Sequence, residues 1–360
     1  MKHIHTLVVA AGLTITMAAH ANEPSWINLF DGESLFGWNQ TGTAAWHVDD
    51  GAIYCEEGAG GLLATTSEFK DFELTLKVKV KEECSTGILV RASTEGHATE
   101  NGSYAIPIRE AKRGGEDWQE LRVVAQGGLV TATLDGNEHD VVAGSNETGH
   151  IAFQYHHNNR AEVWIKDVKL RPLGLSPIFN GEDLSGWNII PGRESEFAVV
   201  DGALNIKDGN GQIETDNLYR DFILQLDIIS NGEHLNSGVF FRGPKGVFWK
   251  GYESQVRNQW RGDNRSNPID YGTGGIYGNQ PAREVVSSDY EWFTKTIVCK
   301  DNHMAVWIDG YLVSDFTDTR PPVTNGDGKA GYVPEAGTIH LQGHDPTTDL
   351  SFKNIILQEY

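Results

Sequence analysis

A ten-residue stretch that occurs twice constrains this chain more than any other feature. Phe30–Asn39 reads FDGESLFGWN and Phe179–Asn188 reads FNGEDLSGWN, aligned without a gap. The correspondence continues through Val48–Ala52 with Val199–Ala203, Thr86–Arg91 with Ser237–Arg242, Trp118–Gly136 with Trp292–Gly310, and Gly149–His156 with Gly337–His344. A chain built this way folds as two copies of one unit, and 360 residues also exceed what one ordinary core holds. The break falls in Arg171–Pro177, RPLGLSP, where Pro and Gly mark a linker. We therefore expect domains at 22–172 and 178–360, joined by 173–177.

Each copy predicts an all-β fold. Segments such as Phe72–Val80 (FELTLKVKV), Phe222–Ile229 (FILQLDII), Lys295–Lys300 (KTIVCK) and Ala305–Gly310 (AVWIDG) are short, β-branched and alternating, with Gly, Asn and Asp between them. No stretch carries the caps and period of a long amphipathic helix. Many short strands with frequent turns predict two tandem jelly-roll β-sandwich domains.

Charge and termini narrow the partners. Fifty acidic against 29 basic residues give a net charge of -21, which argues against nucleic acid and anionic membrane. The start, with Lys2, an apolar run Leu7–Met17 and small residues at Ala19 and Ala21, predicts a secretory signal peptide over 1–21, cut after Ala21. The run is too short for a comfortable membrane span, and no second one follows. The mature protein is expected to be exported, most simply to a bacterial periplasm. Cys55, Cys84 and Cys299 show no zinc spacing; Cys55 and Cys84 are open to pairing, but the reading as three small buried hydrophobes is favoured.

The densest polar patterning lies in Leu235–Asn258, LNSGVFFRGPKGVFWKGYESQVRN. It predicts two strands, the first ending at Arg242, the second carrying Glu253 and Gln255 on one face at a period of two. A cation, a carboxylate and an amide placed together form either a working site or a salt-bridged outer face. The two copies act as an internal control. Arg91 matches Arg242, Gln154 matches Gln342 and His156 matches His344, but Ala105 and Pro107 stand where the second copy has Glu253 and Gln255. This contrast points to a site in the second domain and a degenerate first domain.

Glu253 suits a general base, an anchor for sugar hydroxyls or a cation ligand. Arg242 suits either a site cation or a structural ion pair, His344 either an acid or base or a structural histidine, and His303 a solvated turn. The long connection Gln259–Glu284 is polar and carries Trp260, Tyr271 and Tyr277, whose rings suit stacking on sugar C–H faces. Asp263, Asp270 and Glu253 leave a divalent cation such as Ca²⁺ open. There is no nucleophile elbow, phosphate loop, dinucleotide fingerprint or His-Glu-x-x-His.

Both copies resemble the 3-keto-disaccharide hydrolase family, a 3-keto-glucoside 1,2-lyase and 3-keto-2-hydroxy-glucal hydratase domain. The resemblance rests on FNGEDLSGWN, NSGVFFRG, GYESQV, GGIYG, EWFTKTIV, WIDG, GTIHLQGH and the closing FKNIIL. It implies a concanavalin-like jelly roll and a sugar or 3-keto-sugar substrate. A ketone at C3 acidifies the C2 proton, so a base forms an enolate, the C1 substituent leaves, and water adds to the product. For such a route, residue type and strand placement point to Glu253 as base, Arg242 with Gln255 steadying the enolate, His344 protonating the leaving group, and Gln255, Tyr277, Trp260 and Gln342 binding the sugar. Non-catalytic sugar binding on the same sandwich is the alternative. The chain departs from the family at Asn258, often Asp in relatives, and at Val306, often His.

Overall fold

The computed structural model describes residues 23–81, 85–94, 101–109, 117–156 and 162–360, so the expected signal peptide and Cys84 lie outside the described residues. The described chain is all-β and forms two sandwiches, each pairing an eight-stranded with a five-stranded sheet. Every ladder between strands is antiparallel, as short connections dictate. In Phe72–Lys81 the alternation works as read: Leu74, Leu76, Val78 and Val80 are buried while the lysines between them stay at the surface. Each such side chain contributes roughly 1.5–3 kcal/mol by leaving water.

Asp-Gly turns set the register in both copies. At Asp50-Gly51 and Asp201-Gly202 both residues have positive φ (44° and 73°, 51° and 79°), the mirror-image turn that matches strand twist. Those turns join His47–Asp49 to Ala52–Cys55 and Glu196–Val200 to Ala203–Lys207.

The five-stranded sheet of the second domain runs in the order Trp187–Ile189, Gly211–Thr215, Thr338–Gly343, Ser237–Gly243, Tyr252–Val256. Its inner face meets the large sheet through Ile213, Ile339, Leu341, Val239 and Phe241. The first domain packs on residues of the large sheet: Ile223, Val298, Ala305, Trp307 and Leu312 belong to the first domain's apolar cluster. The Trp307 indole N–H donates to the Asn28 carbonyl at 3.0 Å. Cys55 and Cys299 are buried free thiols, and burial pushes Cys299 up to about 11. No helix among the described residues is long and apolar enough to cross a membrane.

Candidate functional site

Because alternate residues of a strand face opposite ways, burying Ile213, Leu341 and Val239 turns their neighbours to the outer face of the small sheet. The register lines up Glu214, His340, Phe240 and Glu253 in one row. A second row sets Gln212 opposite Gln342, and Gly238 opposite Gln255. These polar groups face outward from the sandwich yet are buried, from 0% exposure at Gln212 to 5% at Glu253. A surface sheet face would leave them wet.

Loops cover them. The connection after Gly243 lays its backbone on the floor: the Gly246 N–H donates to both Glu214 carboxyl oxygens (2.9 and 3.0 Å), and the Trp249 N–H donates to Gln212 Oε1 at 2.7 Å. On the other side Gly274–Tyr277 runs beside the Glu253 strand, with the Gln255 N–H donating to the Gly275 carbonyl and the Tyr277 N–H to the Glu253 carbonyl. Two amide atoms in the floor, Gln212 Nε2 and Gln342 Oε1, have no partner in the protein. Buried polar atoms rarely stay unpaired without a reason.

Glycine makes room for the two titratable groups at the centre. A Cβ on Gly238 would stand 2.5 Å from Glu253 Oε1, and one on Gly243 would stand 2.6 Å from His340 Nε2. Burial pushes the Glu253 carboxyl up to about 8, against the pull of the Lys329 ammonium and a hydrogen bond from the Trp249 side chain. Lys329 Nζ lies 3.8 Å from the Trp249 ring centre and 5.6 Å from that of Tyr277. Burial holds His340 down at about 4, a neutral imidazole, with Nε2 2.5 Å from the Thr338 hydroxyl and Nδ1 3.3 Å from Gln212 Oε1. Beneath the strand, Lys295 reaches from the large sheet and donates to the Ser254 and Gln255 carbonyls at 2.9 and 2.8 Å. Burial lowers its amine to about 7 while Glu253 pulls it upward.

Of the residues singled out from sequence, Glu253, Gln255 and Gln342 meet on this floor. Tyr277 stands at its rim, its ring centre 5.0 Å from that of Tyr271, and burial raises its phenol further above the usual range than Asp270 and Glu253 do. Gln255 is held by Asp270, donating to its carbonyl and carboxylate at 3.0 and 3.2 Å.

Arg242 is not part of the floor, which corrects the expectation of a cation beside Glu253. The ladder slips between Phe240 and Gly243, and Arg242 takes φ 53° there. Its guanidinium is thereby turned to the Asp221 carboxylate at 3.0 Å and the Arg220 and Val333 carbonyls. His344 lies past the strand end, 40% exposed, with Nδ1 3.0 Å from Asp345. Trp260 is stacked under Arg265, 4.3 Å from its ring centre, within a small hairpin closed by a bridge to Pro268. His303 is no solvated turn residue: its Nε2 meets Asp315 at 2.6 Å and its side chain is largely buried. Asn258 accepts from the Thr273 and Ser287 hydroxyls and so ties the long loop down, while Val306 is in the core. Among the described residues no three His, Cys, Asp or Glu side chains converge on a possible metal position.

Sequence reasoning passed over Gln212, Glu214, His340, Trp249 and Lys329. Comparing repeats would have found the first three, because the first copy has Leu62, Ala64 and Ala152 there. Trp249 and Lys329 arrive on loops, with no local pattern to announce them. A separate cleft of about 330 Å³, lined by residues including Ile178, Phe179, Gly186 and Tyr219, contains none of these groups.

The family model of the 3-keto-alpha-glucoside-1,2-lyase-like domain matches residues 25–114 and 174–358. The chain belongs to this family. The second match of the lyase-like domain spans the whole floor and both loops over it, and the first ends within the first copy. Among solved structures, a Parabacteroides distasonis protein provisionally named a glycosyl hydrolase is 26% identical, covering 53% of this chain and 85% of its own, with a TM-score of 0.40. A second from the same organism is 24% identical, covering 52% and 100%, with a TM-score of 0.43. The carbohydrate-binding module CBM66 of Bacillus subtilis is 15% identical, covering 50% and 99%, with a TM-score of 0.37. No curated protein matches the chain at a significant level.

Proposed function

We propose that the second domain is a carbohydrate-active enzyme that cleaves 3-keto-glucosides by β-elimination and adds water to the product, a net glycoside hydrolysis. The observation that carries this reading is Glu253: a buried carboxyl, 5% exposed and raised to about 8, beside unpaired amide atoms on one sheet face. Membership of a family whose domain is described as 3-keto-alpha-glucoside-1,2-lyase-like supports 3-keto-glucosides as the substrate class. A base with a pKa near the working pH is well matched to the moderately acidic C–H beside a ketone.

In this scheme Glu253 takes the C2 proton, and the electron pair moves into the C2–C3 enolate. The enolate then expels the C1 oxygen, which takes up a proton as it leaves, and water adds across the new C1–C2 double bond. Lys329 and the floor amides are placed to hydrogen-bond the enolate oxygen, the role first given to Arg242. In an α-glucoside the C2 hydrogen and C1 oxygen are axial on opposite faces, so the acid stands across the sugar from the base. Tyr277, carried by a loop rather than by the sheet, is the donor for that position. The protein is then an exported enzyme acting on sugars outside the cytoplasm.

One observation favours a second reading, non-catalytic sugar binding. Trp249 is 43% exposed and its side chain hydrogen-bonds Glu253, so ring and carboxyl together suit a sugar held without chemistry. Product analysis with 3-keto-trehalose and trehalose separates the two. Release of glucose from the oxidised sugar alone supports elimination, with an EDTA arm testing for a divalent cation. Binding of either sugar without turnover supports the module.

A further inference from the structure

The first domain reaches the loop that frames the candidate site. Its Phe30–Asn39 segment forms a turn in which the Asp31 carboxylate accepts from the Glu33 and Ser34 N–H groups (2.8 and 2.7 Å) and the Ser34 hydroxyl. The second copy builds the same turn with Asn180, whose side-chain oxygen accepts from the Glu182 and Asp183 N–H groups. A charge at this position is therefore not needed for the turn. In the first copy the charge meets Arg283, whose Nη1 stands 2.8 Å from Asp31 Oδ2. Asp31 is only 8% exposed in its side chain, and although burial pushes its carboxyl up, the turn N–H groups and Arg283 hold it below the usual range.

Arg283 is fixed on every side. Its Nε donates to the Leu312 carbonyl at 2.7 Å, and its guanidinium lies 4.7 Å from the ring centre of Phe36 in the first domain and 4.3 Å from that of Tyr311. A second tie runs parallel: the Thr66 hydroxyl of the first domain donates to Asp315 at 2.8 Å, and the Asp315 backbone exchanges two hydrogen bonds with the Gln280 amide. Gln280 in turn closes the tight turn with Ile276, and Tyr277 next to it donates to the Glu253 carbonyl. Only a few residues of ordered chain separate the first domain from the carboxyl at the centre of the site.

We infer that the first domain acts as a brace for the long loop of the second, with Asp31 and Arg283 as positioning residues that fix the Gly274–Arg283 limb against the Glu253 strand. A domain whose own sheet face has lost its polar rows keeps a role by holding its neighbour's loop, and the ion pair is desolvated enough to matter. The inference builds on the reading of the floor as the working site. The turn itself is independent of the pair, so Asp31→Asn should fold, as Asn180 shows for the second copy.

The test uses the full chain with Asp31→Asn, Arg283→Met and both together. Hydrogen exchange of the Gly274–Ala282 amides is expected to rise about tenfold in each single variant and no further in the double. Turnover of 3-keto-trehalose is expected to lose about three- to tenfold in kcat with KM little changed, since the loop is misplaced rather than the sugar contacts removed. Unchanged exchange in this limb with a lowered melting temperature would overturn the brace, leaving the pair as interdomain adhesion. Faster exchange with unaltered kcat would overturn the positioning role. The exchange arm uses no sugar, so a wild-type chain inert toward 3-keto-trehalose sinks the functional reading without touching the result for the brace.

Discussion

The two small sheets share a backbone and differ in what they present. In the first domain one row reads Ala64, Ala152, Leu89, Ala105 and the next Leu62, Gln154, Gly87, Pro107. In the second the same positions hold Glu214, His340, Phe240, Glu253 and Gln212, Gln342, Gly238, Gln255. The first face makes a small apolar cluster of Leu62, Ala64, Leu89, Ala92, Ala105 and Ala152. The supports beneath the faces are nearly identical. Arg91 pairs with Asp71 as Arg242 pairs with Asp221, both at positive φ, and the Trp38 and Trp187 indoles donate to the Leu29 and Ile178 carbonyls. The sandwich thus forms without the polar rows, so the second domain carries them for another purpose. The same comparison assigns the two arginines to the fold.

Several substitutions sharpen or break that contrast. The largest effect is expected at Glu253→Gln, which removes the proposed base: kcat on 3-keto-trehalose should fall about 10²–10⁴-fold with the fold intact. A variant with full turnover would make the two faces equally idle. Next comes pH. Since burial raises Glu253 to about 8, the basic form grows with pH, and kcat/KM should rise about 50-fold between pH 6 and pH 8 and level off above that.

The same shift predicts a stability signature. A carboxyl raised on folding adds stability that is complete below its unfolded value, 4.5, and lost as pH rises through about 8. Glu253→Gln escapes that loss, so its melting temperature should gain on wild type from pH 5 to pH 9; parallel melting curves would show that Glu253 is not held neutral. Gly238→Ala is expected to be milder, because the new methyl pushes Glu253 Oε1 aside while leaving its chemistry: about tenfold in kcat, with wild-type activity ruling out a fixed carboxyl position. Smallest is Gln212→Leu, which installs the first copy's residue and takes away one amide donor to the enolate oxygen, lowering kcat a few-fold with KM little changed.

How much of this was legible depends on where each signal is carried. Glu253 and Gln255 were visible because strand alternation puts them on one face and the repeat shows what the fold tolerates instead. Arg242 looked like their neighbour, since alternation alone would place it on the Phe240 face; the bulge that redirects it is a backbone event without a side-chain signature. His344 and Trp260 were drawn in by residue type, but a strand ending at Gly343 and a local hairpin at Trp260–Pro268 keep them with their own neighbours.

By itself the sequence determined two all-β copies and the unequal polarity of their faces, because periodicity, turn chemistry and internal homology are local or self-referential. Only the tertiary structure decided which groups share a site. Lys329, Trp249 and Lys295 converge on Glu253 from two loops and the opposite sheet, and Asp31 meets Arg283 across the domain boundary. The reason is physical: burial and long-range pairing set the charge state of a carboxyl, and they exist only once distant segments have packed together.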